Sequence, residues 1–429
     1  MFSRRKLLVN AASLYAVQGC TYLLPMVTIP YLGRVLGPGG WGAVLFSQAI
    51  GSLIAMGVEY GFDLSATREV ARCSDDKNRL RELVTGVTTA KVFLALLGVS
   101  LAVLARPYTL RVAPSPALFW SSTLWGVGQG INMLWYFQGL QRMAWAGGLD
   151  ISGKIVATIS IFVLVHRPED GWKIMLAQAI GCAVSHAITV GMAAYEVGFC
   201  RPSFALTGSV LRLGWPMFLF RASMGIVSSA NGLILGFFAS PAAVGLFGSA
   251  DKFRQVAFQA LWPVNQTLFP HQSERVKRDP REGFRTVRRS LLFLGGLSVL
   301  FGVALTVGAP FLVTFVLGPA FQPAIPVLRV FGLLVPIQAL CTVVSTQWML
   351  PLGLDRQVSF IVLTAGVVNV TAGILLSMRS GALGMAVAVT LAQLYTAFAL
   401  EIALRQRGLS PLFRLGPMAF RETAEVSEL

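Results

Sequence analysis

Charged side chains are scarce in this chain. They make up 13% of its 429 residues, whereas about 25% is usual in a soluble domain. Hydrophobic residues account for 55% of the sequence, and the mean hydropathy is +0.67. Because the excess lies in long apolar blocks, it excludes an ordinary soluble domain and indicates that lipid surrounds most of the chain.

Metal-ligating and catalytic patterns are also lacking. The five cysteines show no paired spacing and the three histidines are distant from them in sequence, so neither a metal site nor a disulfide framework is predicted. The sequence has no nucleophile motif and no phosphate-cradling Gly-Lys loop. We therefore expect no enzymatic activity, no ATP hydrolysis by the chain itself and no cofactor.

Acidic residues are few beside the basic ones. The sequence contains 19 Asp and Glu residues and 35 Lys and Arg residues, which gives a net charge of +16. A basic excess of this size occurs in nucleic-acid-binding proteins, but here it lies mostly in short segments between apolar blocks rather than on one polar face. Nucleic acid is therefore not expected as a partner.

Apolar blocks of about 20 residues, the length that crosses a bilayer as a helix, occur about twelve times. Several contain Gly or Pro, which membrane helices tolerate when neighbouring groups satisfy the freed backbone. The pattern predicts an all-α polytopic membrane protein with about twelve transmembrane helices. The predicted segments are 8–32, 43–62, 83–105, 116–139, 149–166, 172–196, 214–238, 244–269, 290–316, 325–350, 358–377 and 382–404.

Lysine and arginine are distributed unequally between alternate connections. If the N-terminus is cytoplasmic, one side of the membrane has 23 of the 35 basic residues and the other has 6. Cytoplasmic connections are usually the basic ones. The asymmetry therefore predicts that both termini are cytoplasmic, which requires an even number of helices.

The two halves of the sequence share a faint repeat. At a constant offset of 203 residues, Pro38-x-x-x-Gly42 matches Pro241-x-x-x-Gly245. Coincidence is the alternative, because proline and glycine are common in all turns. Six helices per half would give both halves the same orientation, with a substrate path between them. We therefore predict an N-terminal six-helix bundle at 1–200 and a C-terminal six-helix bundle with a cytoplasmic tail at 201–429.

The stretch from Arg34 to Leu83 has the most distinctive pattern. A glycine-rich segment at 37–42 precedes an apolar run at 43–58, and Glu59, Asp63 and a basic segment follow. This pattern resembles the second transmembrane helix of the oligosaccharide flippases, which move lipid-linked glycans for O-antigen and exopolysaccharide assembly. That family belongs to the multidrug/oligosaccharidyl-lipid/polysaccharide exporter superfamily.

The resemblance carries expectations about fold, substrate and location. It implies the exporter-superfamily fold and a multi-pass location in the bacterial inner (cytoplasmic) membrane. It also implies a flippase that moves a polyprenyl-diphosphate-linked oligosaccharide from the cytoplasmic to the periplasmic leaflet for surface polysaccharide synthesis. The expected partners are the lipid-linked oligosaccharide, membrane lipid, and polysaccharide polymerase or assembly proteins.

Several cations lie inside the predicted helices, where a charge is costly unless it faces a cavity or a counter-charge. We expect them to line a cationic central cavity and to stabilise an anionic diphosphate during alternating access. The alternative for cations near a membrane face is that the side chain extends to the surface. The candidates for the substrate path are Arg221, Lys91, Lys154, Lys252 and Arg254.

Amide and aromatic side chains are further candidates for the substrate path. Trp125, Gln129, Asn132 and Tyr136 have the spacing of one helical face. Rings beside amides suit a glycan, because rings stack on sugars and amides bond to hydroxyl groups. The alternative is an interfacial aromatic belt. The full set is Gln18, Asn231, Trp125, Gln129 and Asn132.

Three carboxylates, Glu59, Asp63 and Asp251, are candidates for proton or cation coupling. Glu59 and Asp63 share one helix side and could pair with Lys91 or Lys154, while Asp251 can pair with Arg254 at i,i+3. A fixed structural ion pair is the alternative in each case. The sequence also allows two roles for His186, which is either a proton shuttle or a packed, hydrogen-bonded residue.

Two other functions remain as alternatives. A multidrug or cation antiporter of the same superfamily would favour an acidic rather than a basic lining. A membrane glycan polymerase would be expected to have a large external loop with clustered Arg or His, and the sequence contains no such loop. The charge sign and the short connections therefore both favour the flippase interpretation.

Overall fold

The computed structural model describes residues 4–261, 265, 272, 274–276 and 280–411. Within this part of the chain, the side chains of 4–18, 20, 22–23, 220, 222–228 and 280–281 are outside the description. Every regular element among the described residues is helical. The predicted all-α class is therefore confirmed.

Twelve α-helices have both ends among the described residues, together with short 3₁₀ turns at Pro168–Asp170 and Pro319–Ala324 and π-helical turns at Leu312–Leu317 and Val343–Met349. The α-helices are α1 (Arg4–Glu59), α2 (Phe62–Arg72), α3 (Lys77–Thr109), α4 (Pro116–Gly130), α5 (Leu134–Gly139), α6 (Met143–Leu164), α7 (Gly171–Val197), α8 (Phe204–Phe238), α9 (Pro241–Gln259), α10 (Pro280–Phe311), α11 (Ile325–Thr342) and α12 (Asp355–Arg405).

The helices α1 and α12 are each too long for one membrane crossing. They contain 56 and 51 residues, and at 1.5 Å per residue each exceeds twice the bilayer core of about 30 Å. Each also breaks at a glycine outside the helical region, Gly37 (φ 65°, ψ 176°) and Gly381 (φ 54°, ψ −127°). Each therefore provides two helical segments of membrane-spanning length.

Within the described part of the chain, seven helical stretches are long and apolar enough to cross a membrane, and shorter apolar helices occur within α8. Each of the twelve predicted segments overlaps helical structure, although turns interrupt 43–62 and 116–139, and 244–269 lies partly outside the described residues. The seven stretches are Leu24–Arg72, Lys77–Thr109, Met143–Leu164, Pro168–Val197, Glu282–Leu317, Pro319–Met349 and Asp355–Arg405.

Side-chain caps explain where several helices begin. The Asp76 carboxylate accepts hydrogen bonds from two backbone N–H groups in the first turn of α3, at 3.0 and 3.1 Å. Ser115 and Ser203 cap α4 and α8 in the same way. These residues satisfy donors that would otherwise be unpaired at a helix start.

The internal repeat is visible in the helix boundaries. Adding 203 to the bounds of α3 gives 280–312, and α10 is Pro280–Phe311. Adding the same offset to the break at Gly37 gives position 240, which lies between the end of α8 and the start of α9. Matching breaks at matching positions support a real repeat over coincidence among turn residues.

The chain divides into two compact units, Met1–Gly245 and Leu246–Leu429. In the first unit, α1 packs against α4, α6 and α8, while α7 packs against α4 and α6. In the second unit, α11 packs against α10 and α12. The six-helix bundles with a boundary between 200 and 201 stay a prediction.

The two repeated Pro-Gly motifs pack directly against each other within the first unit. A Cβ atom built on Gly42 would lie 1.7 Å from the Pro241 carbonyl oxygen, and one on Gly245 would lie 2.1 Å from that of Pro38. Neither position has room for a side chain, so the absence of Cβ is what allows α1 and α9 to meet. The contact is reciprocal, because the proline carbonyl of each motif faces the glycine of the other.

Candidate functional site

The corner between α1 and α2 places two of the predicted carboxylates. Tyr60 and Gly61 have positive φ values of 50° and 71°, which turn the chain sharply after Glu59. Gly61 also has no room for a Cβ, which would lie 2.8 Å from the backbone of α8. The turn brings Asp63, in the first turn of α2, close to α8.

Arg221 of α8 forms an ion pair with Asp63. The Arg221 side chain remains 44% exposed and that of Asp63 is 18% exposed. Asp63 was predicted to pair with Lys91 or Lys154, and that prediction is wrong because α8, distant in sequence, supplies the nearer cation. The guanidinium is therefore neutralised on one side and open on another.

Lys91 of α3 is enclosed, with 1% of its surface exposed. Its Nζ donates a hydrogen bond of 2.8 Å to the backbone carbonyl of Asn132. The Asn132 amide in turn donates to Glu59 Oε1 at 3.3 Å, and Glu59 is the carboxylate that acts electrostatically on Lys91. Of the two partners predicted for Lys91, the structure therefore provides Glu59, and Asn132 connects them.

Lys154 of α6 contacts neither Glu59 nor Asp63, so the predicted pairing is wrong for this lysine. Its Nζ lies 2.8 Å from Asp150 Oδ2, one turn earlier on the same helix, and donates to Thr21 Oγ1 of α1 at 2.9 Å. Sequence reasoning missed Asp150, although its i,i+4 spacing from Lys154 is a signal that could have identified it.

His186 of α7 is buried, and it belongs to the same cluster as Asp150. Its Nδ1 lies 2.8 Å from the Gly128 carbonyl oxygen of α4, and its Nε2 lies 4.0 Å from Asp150 Oδ1. His186 is therefore packed and hydrogen-bonded within the bundle. Asp150, Lys154 and His186 together connect four helices of the first unit.

A fourth polar cluster lies in the second unit, around Asp251 of α9. The predicted i,i+3 pair is present, with Arg254 Nε 2.6 Å from Asp251 Oδ1, and Gln255 donates to Asp251 Oδ2 at 2.7 Å. Arg254 also donates to Gln338 Oε1 of α11 at 2.5 Å and lies over the Phe331 ring, 5.7 Å from its centroid. Sequence reasoning missed Gln338, because α11 is distant along the chain.

Lys252 follows Asp251 on α9. It is half-buried, and Asp251 acts on it electrostatically. The two remaining polar candidates are Gln18 and Asn231. The Gln18 side chain lies outside the described residues, and Asn231 is half-buried on α8.

The predicted helical face of aromatic and amide residues is interrupted. The segment 116–139 was predicted as one helix, but α4 ends at Gly130 and α5 begins at Leu134. Asn132 therefore lies in the connection, where its amide also donates to the Gln129 carbonyl at 3.0 Å. Tyr136 is buried on α5 and its hydroxyl donates to Glu196 at 3.0 Å, so it does not continue the face.

Trp125 and Gln129 are both half-buried on α4. The Trp125 ring packs beside Gly51 of α1, where a Cβ would lie 2.9 Å from the ring. Close by, a Cβ on Gly126 would lie 2.3 Å from the Gly51 carbonyl oxygen. The backbones of α1 and α4 therefore meet directly, and this contact fixes the position of the Trp125 ring.

One thiol outside the membrane-spanning segments has a perturbed environment. Burial raises the pKa of Cys73, and the nearby carboxylates of Glu69 and Asp76 raise it further. Its Sγ also donates to the Glu69 carbonyl at 3.1 Å. A buried, protonated thiol reacts poorly, so Cys73 contributes little background to labelling of cysteines introduced nearby.

The described residues contain no group of three or more metal-ligating side chains that could hold a metal ion. What they contain are four polar clusters, each with at least one cation and one carboxylate from the transmembrane region. Ion-paired charges at bilayer depth are typical of transport pathways and proton relays. Multiple spanning helices with such clusters and an internal repeat define a polytopic helical membrane transporter.

Within that class, the chain belongs to the family of polysaccharide biosynthesis proteins, whose family model matches residues 7–276. Two curated relatives share one name, "Putative O-antigen transporter". The protein from Escherichia coli (strain K12) is 28% identical over 366 residues, covering 84% of this chain and 87% of that protein. The protein from Shigella dysenteriae is 29% identical over 394 residues, covering 89% of this chain and 95% of that protein.

Solved structures show that the fold is that of the exporter superfamily. The lipid II flippase MurJ in an inward closed conformation has a TM-score of 0.70 at 12% identity, with 93% of this chain and 87% of that chain covered. An inward-facing multidrug resistance MATE family transporter of the MOP superfamily has a TM-score of 0.68 at 15% identity, with 90% and 94% covered. The exporter-superfamily fold predicted from the sequence is confirmed.

Proposed function

We propose that this protein is a flippase for lipid-linked oligosaccharides in surface polysaccharide synthesis. It moves a polyprenyl-diphosphate-linked oligosaccharide from the cytoplasmic to the periplasmic leaflet of the bacterial inner membrane by alternating access through a cationic central cavity. The observation that carries this proposal is the match to the polysaccharide biosynthesis family, together with relatives over most of the chain that carry the O-antigen transporter name.

Charge complementarity supports the substrate class. The diphosphate is anionic, and a cation at bilayer depth with one side open can stabilise it during transfer. Arg221 is the strongest candidate for that contact, because its side chain is 44% exposed even though Asp63 pairs with it. Lys154 is the next candidate, at 28% exposed. A cation-exporting transporter would instead favour an excess of carboxylates.

A deletion strain tests the function. Without the protein, undecaprenyl-linked repeat units should accumulate on the cytoplasmic side and surface polysaccharide should disappear, and the gene in trans should restore it. Normal periplasmic polymerisation in the deletion strain would reject the proposal. Polymerisation of glycan by the purified protein in vesicles would instead favour the polymerase, whereas in the flippase pathway polymerase and assembly proteins act as separate partners.

The orientation belongs to the same proposal and has its own test. In the Asp75→Cys variant the new thiol lies in the exposed connection between α2 and α3, and in the Glu169→Cys variant it lies in the exposed turn before α7. A membrane-impermeant maleimide should label only the Glu169→Cys variant in intact spheroplasts, and both variants after permeabilisation. The reverse pattern would contradict cytoplasmic termini.

A further inference from the structure

The Asp150 carboxylate lies between two basic groups on different sides. Lys154 Nζ is 2.8 Å from one carboxylate oxygen and His186 Nε2 is 4.0 Å from the other. Asp150 and His186 are both buried, while the Lys154 side chain is 28% exposed. The enclosed pair is therefore separated from bulk water, with Lys154 on its more open side.

The backbone of α4 determines which nitrogen of His186 carries a proton. Nδ1 lies 2.8 Å from the carbonyl oxygen of Gly128, and a carbonyl oxygen can only accept a hydrogen bond. Nδ1 is therefore the donor, and in the neutral ring Nε2 has a lone pair instead of a hydrogen. That lone pair faces Asp150 Oδ1. Two acceptors thus face each other in a buried space without a hydrogen between them.

We propose that His186 and Asp150 form a proton-binding site that controls the availability of Lys154. One proton binds to Nε2 and converts the ring to imidazolium, which then donates toward Asp150 Oδ1. With a neutral ring, Asp150 and Lys154 have a combined charge of zero, and with the imidazolium the three groups have a charge of +1. His186 and Lys154 then compete for a single carboxylate, so proton binding weakens the Asp150–Lys154 pair.

The electrostatic surroundings of the ring are limited to a few groups. From its own helix, Cys182 Sγ lies 3.9 Å from Nδ1. From α6, Asp150 attracts the imidazolium and Lys154 opposes it, and Lys91 of α3 opposes it as well. The Gly128 carbonyl that accepts from Nδ1 and the Asp150 carboxylate therefore favour a proton on the ring, whereas burial and the two neighbouring lysines act against it.

Release of Lys154 has a consequence for transport, and this step rests on the proposed flippase function. Thr21 Oγ1 of α1 is the second partner of Lys154 Nζ. Once Asp150 pairs with the imidazolium, the ammonium group is left with Thr21 and becomes available to the anionic diphosphate. Because such coupling is reciprocal, a bound anion should in turn favour protonation of His186.

Nitrogen NMR of the full-length protein in lipid nanodiscs tests the site directly. Labelling with ¹⁵N-histidine in a His166→Gln/His271→Gln background leaves one labelled ring, whose two nitrogens give separate signals. We expect the Nδ1–H tautomer at pH 8 and the imidazolium as the pH falls. The imidazolium should appear at lower pH in the Asp150→Asn variant and at higher pH in the Lys154→Gln variant, each by about one pH unit, because each change removes one nearby charge.

Opposite displacements of the His186 titration midpoint in the Asp150→Asn and Lys154→Gln variants distinguish competition for a carboxylate from a structural role. An unchanged midpoint in both, an Nε2–H tautomer at pH 8, or a ring that stays neutral down to pH 5 would overturn the proposal. The Asp150→Asn variant is used only if it folds, as judged by size-exclusion chromatography. If it does not fold, the pH at which the imidazolium appears is compared between the protein with Lys154 unchanged and the Lys154→Gln and Lys154→Met variants. A normal titration combined with normal polysaccharide in the deletion strain would reject the flippase function and leave the proton site standing.

Discussion

Asp63 of α2 and Arg221 of α8 form an ion pair between elements that are far apart in the sequence. The pair depends on the turn at Tyr60 and Gly61, which directs α2 toward α8. Both side chains keep some exposure, so the pair is accessible to a charged ligand. This relationship makes Arg221 the first residue to test.

Replacing Arg221 by alanine should impair export while leaving membrane insertion intact. We expect at least a tenfold loss of surface polysaccharide, since about 1.4 kcal/mol of lost binding corresponds to a factor of ten. The measurement is polysaccharide display normalised to the amount of protein in the membrane. Arg212→Ala is the matched control, because Arg212 is an exposed arginine on the same helix. Unchanged export in the Arg221→Ala variant would remove Arg221 from the proposed path.

The reciprocal contact of α1 and α9 predicts a strong effect from one methyl group. Gly42→Ala should lower the apparent melting temperature of the purified protein, because its Cβ would overlap the Pro241 carbonyl oxygen and overpacking costs about 1–3 kcal/mol. Gly39→Ala is the control, since nothing lies within 4 Å of that position. Equal melting temperatures for the two variants would contradict the close approach.

Arg254 should not be replaceable by lysine. The guanidinium contacts Asp251 and Gln338 at the same time, and a lysine ammonium cannot reproduce that planar fork. We expect Arg254→Lys to lower the free energy of unfolding by about 1.5–3 kcal/mol through one lost hydrogen bond to a charged group. Thermal unfolding of Arg254→Lys, Gln338→Leu and the double variant is the measurement, and additive effects would show that the two residues are not coupled.

The two tryptophans of α4 should behave differently. Trp120 is 52% exposed on an apolar helix, a position typical of contact with lipid, whereas Trp125 packs beside Gly51. Trp125→Ala should therefore reduce export severalfold, while Trp120→Ala should leave it nearly unchanged. Export assays at matched membrane levels compare them. A larger loss in the Trp120 variant would reverse the assignment.

Local patterns predicted much of the architecture. Lipid requires long apolar helices with every backbone group satisfied internally, so block length alone located the spans that the structure contains. Pairs within one helix follow from spacing, as with Asp251 and Arg254. Asp150 and Lys154 also lie one helical turn apart, so their pair follows from the sequence in the same way.

Contacts between helices were beyond the reach of the sequence. The apolar pattern specifies that a helix is buried in lipid, but it does not specify which neighbour its polar residues meet. The partner of Asp63 and the carbonyl that binds Lys91 are such cases. Small residues such as Gly42 and Gly51 decide where two backbones meet, and their effect depends on the facing helix.

The amino-acid sequence by itself therefore indicated that lipid surrounds this protein, that it is all-α and that it contains an internal repeat. It also carried the family resemblance, which the family match confirms. Tertiary structure alone decided how its buried charges are shared among clusters. The physical reason is distance. Hydrophobicity acts on each segment independently, whereas an ion pair needs two groups within about 4 Å, and only the packed chain brings Asp63 and Arg221 together.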